Sequence, residues 1–349
     1  MYTIVDKVIY FYIFICLFLL IYNIVYIIRR THQKKRRARQ IERWKAILTR
    51  RRMPVKKLRN PEALTAWHSA LFAPDSPLSG EEQAAYLDEN RQALLHLAWD
   101  YRRHDAMERA FCAYILREIF LADAGDWRTF AEPLLSYLEH STVYCRENVL
   151  QALYVLGHPD AIGKALDIMN GNGWYHDPRL LSDGLMEYRG DKEQLIRYLW
   201  ANREKWMDEY GVAIVRFAMQ VSLEFQEDFL CVLRDRETPL EIRFALVRYF
   251  RKYPGPAAGE YLRSLFEEKD PDDSSLTIAA ASSLVSYPDR QTRAVLKHAL
   301  SSQNWYVRHN AALSLHELGI TPEEIDEIRL GGDRYALEMI QYITEREEA

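Results

Sequence analysis

Ten histidines, four cysteines and fifty carboxylates are the raw material for chemistry in this 349-residue chain, and few of them stand at spacings that make a reactive set. His316-Glu317 is a His–Glu pair of the kind that ligates iron or zinc, but a single pair falls short of a ligand shell, and His316 reads as an ordinary exposed helical residue. Cys16, Cys112, Cys145 and Cys231 form no CxxC pair and read as reduced core or membrane residues, which fits a reducing compartment. No phosphate-binding Gly-rich loop, nucleophile elbow or HExxH helix occurs, and the glycines of NGNG at 170–173 follow a helical stretch where a phosphate loop would follow a strand. The expectation is a protein that is not an enzyme and that uses no metal or cofactor.

The densest run of functional side chains is basic. Arg29, Arg30, Lys34, Lys35, Arg36, Arg37 and Arg39 follow immediately on residues 8–28, a stretch of 21 residues without a charge. As a helix that stretch spans roughly 31 Å, about the thickness of a hydrocarbon core, so it predicts a transmembrane helix. A cleaved signal peptide is disfavoured by the length of the run and by the absence of a small-x-small site. The basic side belongs in the cytoplasm by the positive-inside rule, leaving residues 1–7 as a short outer N-terminus and giving a single-pass protein of the cell membrane. Tyr10, Tyr12, Tyr22 and Tyr26 suit the interfaces, and Asn23 is placed to bond a partner helix or to reach the headgroups. Residues 29–59 continue as a basic juxtamembrane segment. Ile41, Trp44, Ile47 and Leu48 at helical spacing would let it lie on anionic lipid headgroups, while a solvated topogenic linker would use the same charges.

Charge is divided unevenly. Residues 1–59 hold 16 of the 46 Lys and Arg and 2 of the 50 acids, net +14, leaving 30 bases against 48 acids, net −18, in the remainder. Binding along a duplex needs bases where phosphates are met, so nucleic acid is not expected as a partner.

From residue 60 the signals are helical. Asn60-Pro61 starts a helix, APDSPLSG ends it, and Ser79 with Glu82 makes a capping box for a long amphipathic helix through Trp99; residues 60–104 are read as capping helices. From 105 to 349 one template recurs. Arg109, Arg146, Arg179, Gly211, Arg243, Thr277 and Arg308 are spaced by 37, 33, 32, 32, 34 and 31 residues, and eleven residues after the last six stand Gly157, Gly190, Ser222, Pro254, Pro288 and Gly319. A fixed period of this size marks a repeat array, with the terminators ending each second helix. First helices are expected at 131–139, 161–169, 192–200, 227–233, 257–266 and 290–300, and a polar C-terminal pair closes the array.

The run VRHNAALSLHELG, Val307 to Gly319, resembles the second helix of a HEAT repeat and of the phycobilisome-lyase HEAT-like repeats. The resemblance covers about two thirds of the chain and implies an all-α fold: a right-handed α-solenoid of about six to eight helix pairs, preceded by one transmembrane helix, with a concave binding surface. It implies no reaction. Deoxyhypusine hydroxylase builds a di-iron centre from several His-Glu pairs on such repeats, whereas the places here equivalent to His316-Glu317 hold Tyr154-Val155, Glu187-Tyr188 and Arg251-Lys252. Alkylpurine DNA glycosylases share the fold class, but the acidic solenoid and the membrane tether speak against a DNA role. Bilin lyases share the repeat name, which carries no active site with it. The resemblance also implies that Arg146, Arg179, Arg243 and Arg308 are ladder residues bonding a neighbouring repeat.

The function expected is therefore a membrane-anchored cytoplasmic scaffold or regulatory adaptor for another protein, itself membrane-associated, for example in envelope or polysaccharide synthesis. A HEAT-like enzyme or nucleic-acid binder is the alternative, which a continuous basic groove would favour. Two contact surfaces are open. Gln151, Tyr154, Asp183, Glu187, Arg216, Arg248 and Arg251 fall at the exposed positions of the second helices, acidic or neutral early and basic late, and either meet a partner or are simply solvated. The insertion at 170–178 carries Trp174, Tyr175 and His176, which turning does not require; Trp174 either contacts a partner or plugs the gap between repeats.

Overall fold

The computed structural model describes residues 4–122, 125–267 and 274–347, which are helical throughout, with 20 α-helices and no strand among them. Residues 1–3 of the expected outer N-terminus and Glu348 of the polar C-terminal end lie outside the described residues. The chain forms two compact units, 1–156 and 157–349.

The first unit begins with α1, Ile4–Leu48, a 45-residue helix about 67 Å long that contains neither Gly nor Pro, so nothing in it interrupts the backbone ladder. Then come α2 (Val55–Leu58), α3 (Pro61–Leu71), α4 (Gly80–Glu89), α5 (Arg91–Tyr101), α6 (Ala106–Ala122), α7 (Ala131–Ser136) and α8 (Val143–Leu156). The Asn60 carboxamide accepts the N–H groups of Glu62 and Ala63 at 2.9 and 3.2 Å, and Ser79 and Glu82 cap each other reciprocally. The helix expected from Ser79 to Trp99 is two helices. Asn90 leaves helical geometry at φ −103°, ψ 11°, and its side-chain amide (2.8 Å) and backbone N–H (3.2 Å) both donate to the Tyr86 carbonyl, which closes the end of α4.

The end of α1 departs from the sequence expectation. Its last turns pack on α3, and Trp44 (6% exposed) and Leu48 (0%) are buried in protein, leaving no apolar face there to lie on lipid. The same stripe that would suit a membrane surface fits the apolar face of α3, where Leu64, Trp67 and Leu71 are buried, and protein packing wins. Of residues 29–59, the part around Trp44 and Leu48 is thus packed into the first unit, while residues 29–39 are exposed.

In the second unit, helix pairs succeed one another: α9 (Pro159–Gly171), α10 (Pro178–Leu185), α11 (Lys192–Asn202), α12 (Asp208–Val221), α13 (Gln226–Arg234), α14 (Leu240–Lys252), α15 (Pro256–Ser264), α16 (Ser274–Ser283), α17 (Arg290–Ala299), α18 (Trp305–Glu317), α19 (Pro322–Leu330) and α20 (Arg334–Glu347). Helix α10 packs on α12, α12 on α14, α14 on α16, α16 on α18 and α18 on α20. Five of the expected first helices fall on α9, α11, α13, α15 and α17, and the sixth, 131–139, on the shorter α7. Helix α10 stops five residues before Gly190, because the i to i+3 bonds from Met186, Glu187 and Tyr188 tighten its last turn.

The anchor positions divide by role. Arg109 donates onward to the carbonyls of Glu139 and His140 at 2.8 and 3.2 Å; Arg243 bonds the Leu233 carbonyl and the Tyr261 hydroxyl. Arg146 and Arg308 reach the turns of their own pairs, at Ser141 and Ser302. Arg179 is no ladder residue: its side chain is 77% exposed and pairs with Asp183 at 3.8 Å. Gly211 packs closely at the α12–α14 contact, where a Cβ would stand 2.7 Å from Ile242 Cδ1.

Hydroxyls tie successive second helices instead. Tyr188 donates to the Gly157 carbonyl (3.0 Å), Tyr249 to Ser222 (3.0 Å), Tyr287 to Phe250 (2.9 Å) and Ser314 to Ala281 (2.7 Å). In the first unit Tyr101 donates to Leu58 at 3.0 Å and Tyr137 to Ala98. Each bond meets a carbonyl near a helix end, where the backbone has no partner of its own.

Two outcomes follow. Trp44→Ala should cost about 3–5 kcal/mol by cavity formation, and a chain starting at residue 39 should keep its cooperative unfolding, whereas one starting at residue 60 should lose stability in the first unit; urea titrations of the three would show it. Burial pushes the Cys112 thiol up to about 12, Cys145 to about 11 and the Tyr188 and Tyr287 hydroxyls to about 12, against ordinary values of 9.0 for the thiols and 10.0 for the phenols. Unfolded, these groups release protons at the ordinary values while the native state still holds them, so their contribution is intact below pH 9 and falls as pH rises toward 12. The urea midpoint should be lower at about pH 10.5 than at about pH 9, and the difference smaller in a Tyr188→Phe/Tyr287→Phe variant, which has fewer protons to release.

Candidate functional site

Along α1 the residues from Ile9 to Ile28 are uncovered, with Phe14 67%, Tyr12 62% and Leu20 58% exposed, and this is the helix among the described residues long and apolar enough to cross a membrane. The Asn23 amide donates to the Leu19 carbonyl at 2.9 Å, so its N–H is satisfied within the helix. Arg29, Arg30, Lys34, Lys35, Arg36, Arg37 and Arg39 follow on the same unbroken helix, all exposed, and surround its axis as a basic collar.

The seven positions expected to face a partner fall in both units. Gln151 and Tyr154 are on α8 in the first. Gln151 is half-buried and bonded to Glu147 at 3.1 Å. Tyr154 is 1% exposed and does not reach the surface, because the apolar face of α8 is wide enough to take in the position expected to be solvated. The other five lie in the second unit: Asp183, exposed, on α10 and Glu187, exposed, in the turn that follows it; Arg216, half-buried, on α12; Arg248 and Arg251, exposed, on α14. Two carboxylates therefore stand two helix contacts from two guanidinium groups, with Arg216 between, although Arg179 on α10 pairs with Asp183.

The insertion loop separates its aromatics. Tyr175 is 60% exposed, Trp174 is half-buried and His176 is buried at 9%. The loop is held by a network the sequence reading missed. Asn170 donates to the Lys205 carbonyl (3.0 Å) and accepts the Met207 N–H (2.8 Å), Trp206 Nε1 donates to Asp167 (2.7 Å), and Tyr210 donates to the Trp174 carbonyl (2.8 Å). Its partners lie 35 to 39 residues apart, about one repeat, and that spacing is the signal that could have found them. A row of exposed aromatics at the C-terminal end, Trp305 (48%), Tyr306 (64%) and Tyr335 (68%), also went unremarked at the sequence level, since anchoring the repeat on Arg308 drew attention to the buried side of α18.

His316 is half-buried on α18, and no group of three or more His, Cys, Asp or Glu with metal-binding placement occurs among the described residues. No protein-family model matches the chain, and no curated protein matches it.

Asn170→Ala should remove two of the bonds between the insertion and the 203–210 segment, leaving that from Tyr210 to the Trp174 carbonyl, at a cost of about 1–3 kcal/mol. Hydrogen exchange should speed up in 170–178 and 203–210 and stay unchanged in α18; a uniform increase across the second unit would mean that Asn170 supports the whole core and not the loop.

Proposed function

We propose that this chain is a single-pass membrane protein that presents a HEAT-like helical solenoid to the cytoplasm as a scaffold or adaptor for a membrane-associated protein partner. The observation that carries the reading is the packing of second helix on second helix from α10 to α20, at the period read from the anchors, on a chain whose first helix holds an uncovered apolar stretch of membrane-spanning length. Pairs stacked in this way bury one face of each helix and leave other residues at a regular spacing, which suits recognition of an extended surface. The right-handed sense and the cytoplasmic side are part of the proposal: bases flank the C-terminal end of the span, and the positive-inside rule retains that end.

The partner surface we favour is the second-unit set Asp183, Glu187, Arg216, Arg248 and Arg251, with Tyr175 as the exposed aromatic of the insertion loop. Its charge runs from acidic at Asp183 and Glu187 to basic at Arg248 and Arg251, so a partner of opposite polarity would dock in one register. Tyr154 is left out because it is buried.

A reporter fused after Ala349 should behave as cytoplasmic, and an outer-side signal would overturn the orientation. Photo-crosslinking from residue 175 in cell membranes should yield a discrete adduct with one membrane protein, lost in an Arg248→Glu/Arg251→Glu variant with unchanged helical signal. An adduct unaffected by the double reversal would remove the charged surface from the proposal and leave the insertion loop.

A further inference from the structure

Past the apolar stretch, α1 runs beside the start of α3 and the two enclose a groove of about 420 Å³. Its α1 wall carries Arg30, Gln33, Lys34 and Arg37, a set with i, i+4, i+7 spacing for the three cations, and its α3 wall carries Glu62 and Thr65. Arg36, also on the rim, pairs with Glu62 at 3.7 Å. Arg30, Lys34 and Arg37 have no ion pair among the described residues. Three uncompensated cations therefore line a groove whose one carboxylate is already engaged.

We propose that this groove holds the phosphate of an anionic lipid headgroup as a defined site. The proposal rests on the reading that α1 crosses a bilayer. Three observations favour it. Depth is the first: Arg30, Lys34 and Arg37 stand two, six and nine residues beyond Ile28, about 3, 9 and 14 Å along the axis, so the groove starts within the headgroup layer, roughly 5–7 Å thick, and continues past its outer edge. Rigidity is the second. Burial of Trp44 and Leu48 in the α1–α3 contact fixes the two walls against each other, and Asn60 caps the start of α3, so the cations are held in place as those of a flexible polybasic tail are not. The third is that only part of the collar takes part: Arg29, Lys35 and Arg39 do not line the groove, although they carry the same charge. The shared ligand chemistry is a phosphomonoester or phosphodiester, and the depth assigns it to lipid over a free phosphate.

The test uses the full chain in detergent, followed by native mass spectrometry with added phosphatidylglycerol, phosphatidylcholine or soluble glycerol phosphate. Wild type should retain one phosphatidylglycerol in preference to phosphatidylcholine, and soluble glycerol phosphate at equal concentration should not displace it. Arg30→Gln/Lys34→Gln/Arg37→Gln should weaken that binding at least about tenfold, since each base near an anionic headgroup is worth about 1 kcal/mol, whereas Arg29→Gln/Lys35→Gln/Arg39→Gln, with the same net charge, should change it less than threefold, or about twofold. Equal losses in both triple variants would overturn the groove and leave only diffuse attraction to the collar. Displacement by glycerol phosphate would overturn the lipid assignment. Carbonate extraction of membranes carrying the same chains separates the two levels of failure: release of wild type into the soluble fraction would overturn the membrane span itself, while retention of all three chains confines any failure to the groove.

Discussion

The unbroken backbone ladder of α1 is the constraint on which the first unit depends. A helix of 45 residues without Gly or Pro has no hinge, and its last turns are locked into protein by Trp44 and Leu48. Whatever holds the apolar end of that helix therefore also sets the direction of α3 and of the residues packed on it. A flexible linker between anchor and domain would have decoupled them; a continuous helix transmits position and rotation, because bending it would break ladder bonds or expose a buried Trp and Leu. The basic residues 29–39 lie on the rigid part, so their placement around the axis is fixed along with it.

In the second unit the corresponding constraint is the meeting of successive second helices. Small residues at the contacts permit close approach, as Gly211 does against Ile242, and hydroxyls of Tyr249, Tyr287 and Ser314 bond carbonyls at the end of the preceding second helix. These bonds are directional where apolar burial is not, and they set the register of one pair on the next. The arginine anchors do less of this than their periodicity suggests. Arg109 and Arg243 bond onward, Arg146 and Arg308 brace their own turns, and Arg179 stands in water. A repeated residue type at a repeated position has thus taken different local partners, as expected when the surrounding turns differ in length.

Between them, these features leave a protein whose buried polar groups serve packing and whose distinctive charges are on its surface. The buried thiols of Cys112 and Cys145 are held protonated by desolvation, which suits core residues and not nucleophiles, whose reactivity needs the thiolate.

The sequence by itself determined the all-helical class, the uncharged stretch of membrane-spanning length, the caps at Asn60 and Ser79, and the approximate places of the first helices of the pairs, because these depend on local spacing and on residues that start or stop helices wherever they occur. Only the tertiary structure decided which face of a helix was buried and by what. Ile41, Trp44, Ile47 and Leu48 form a stripe that suits lipid and protein equally, and the proximity of α3 settled it. Tyr154 sits at a position whose counterparts Glu187 and Arg251 are exposed, yet α8 buries a broader face and takes it in. The groove beside Arg30 and Arg37 joins residues about thirty apart in the chain, and the Asn170 network joins residues one repeat apart. Periodicity states which residues share a helix face; only packing states what that face meets, since the same apolar stripe lowers its free energy against any apolar surface that three-dimensional closure brings to it.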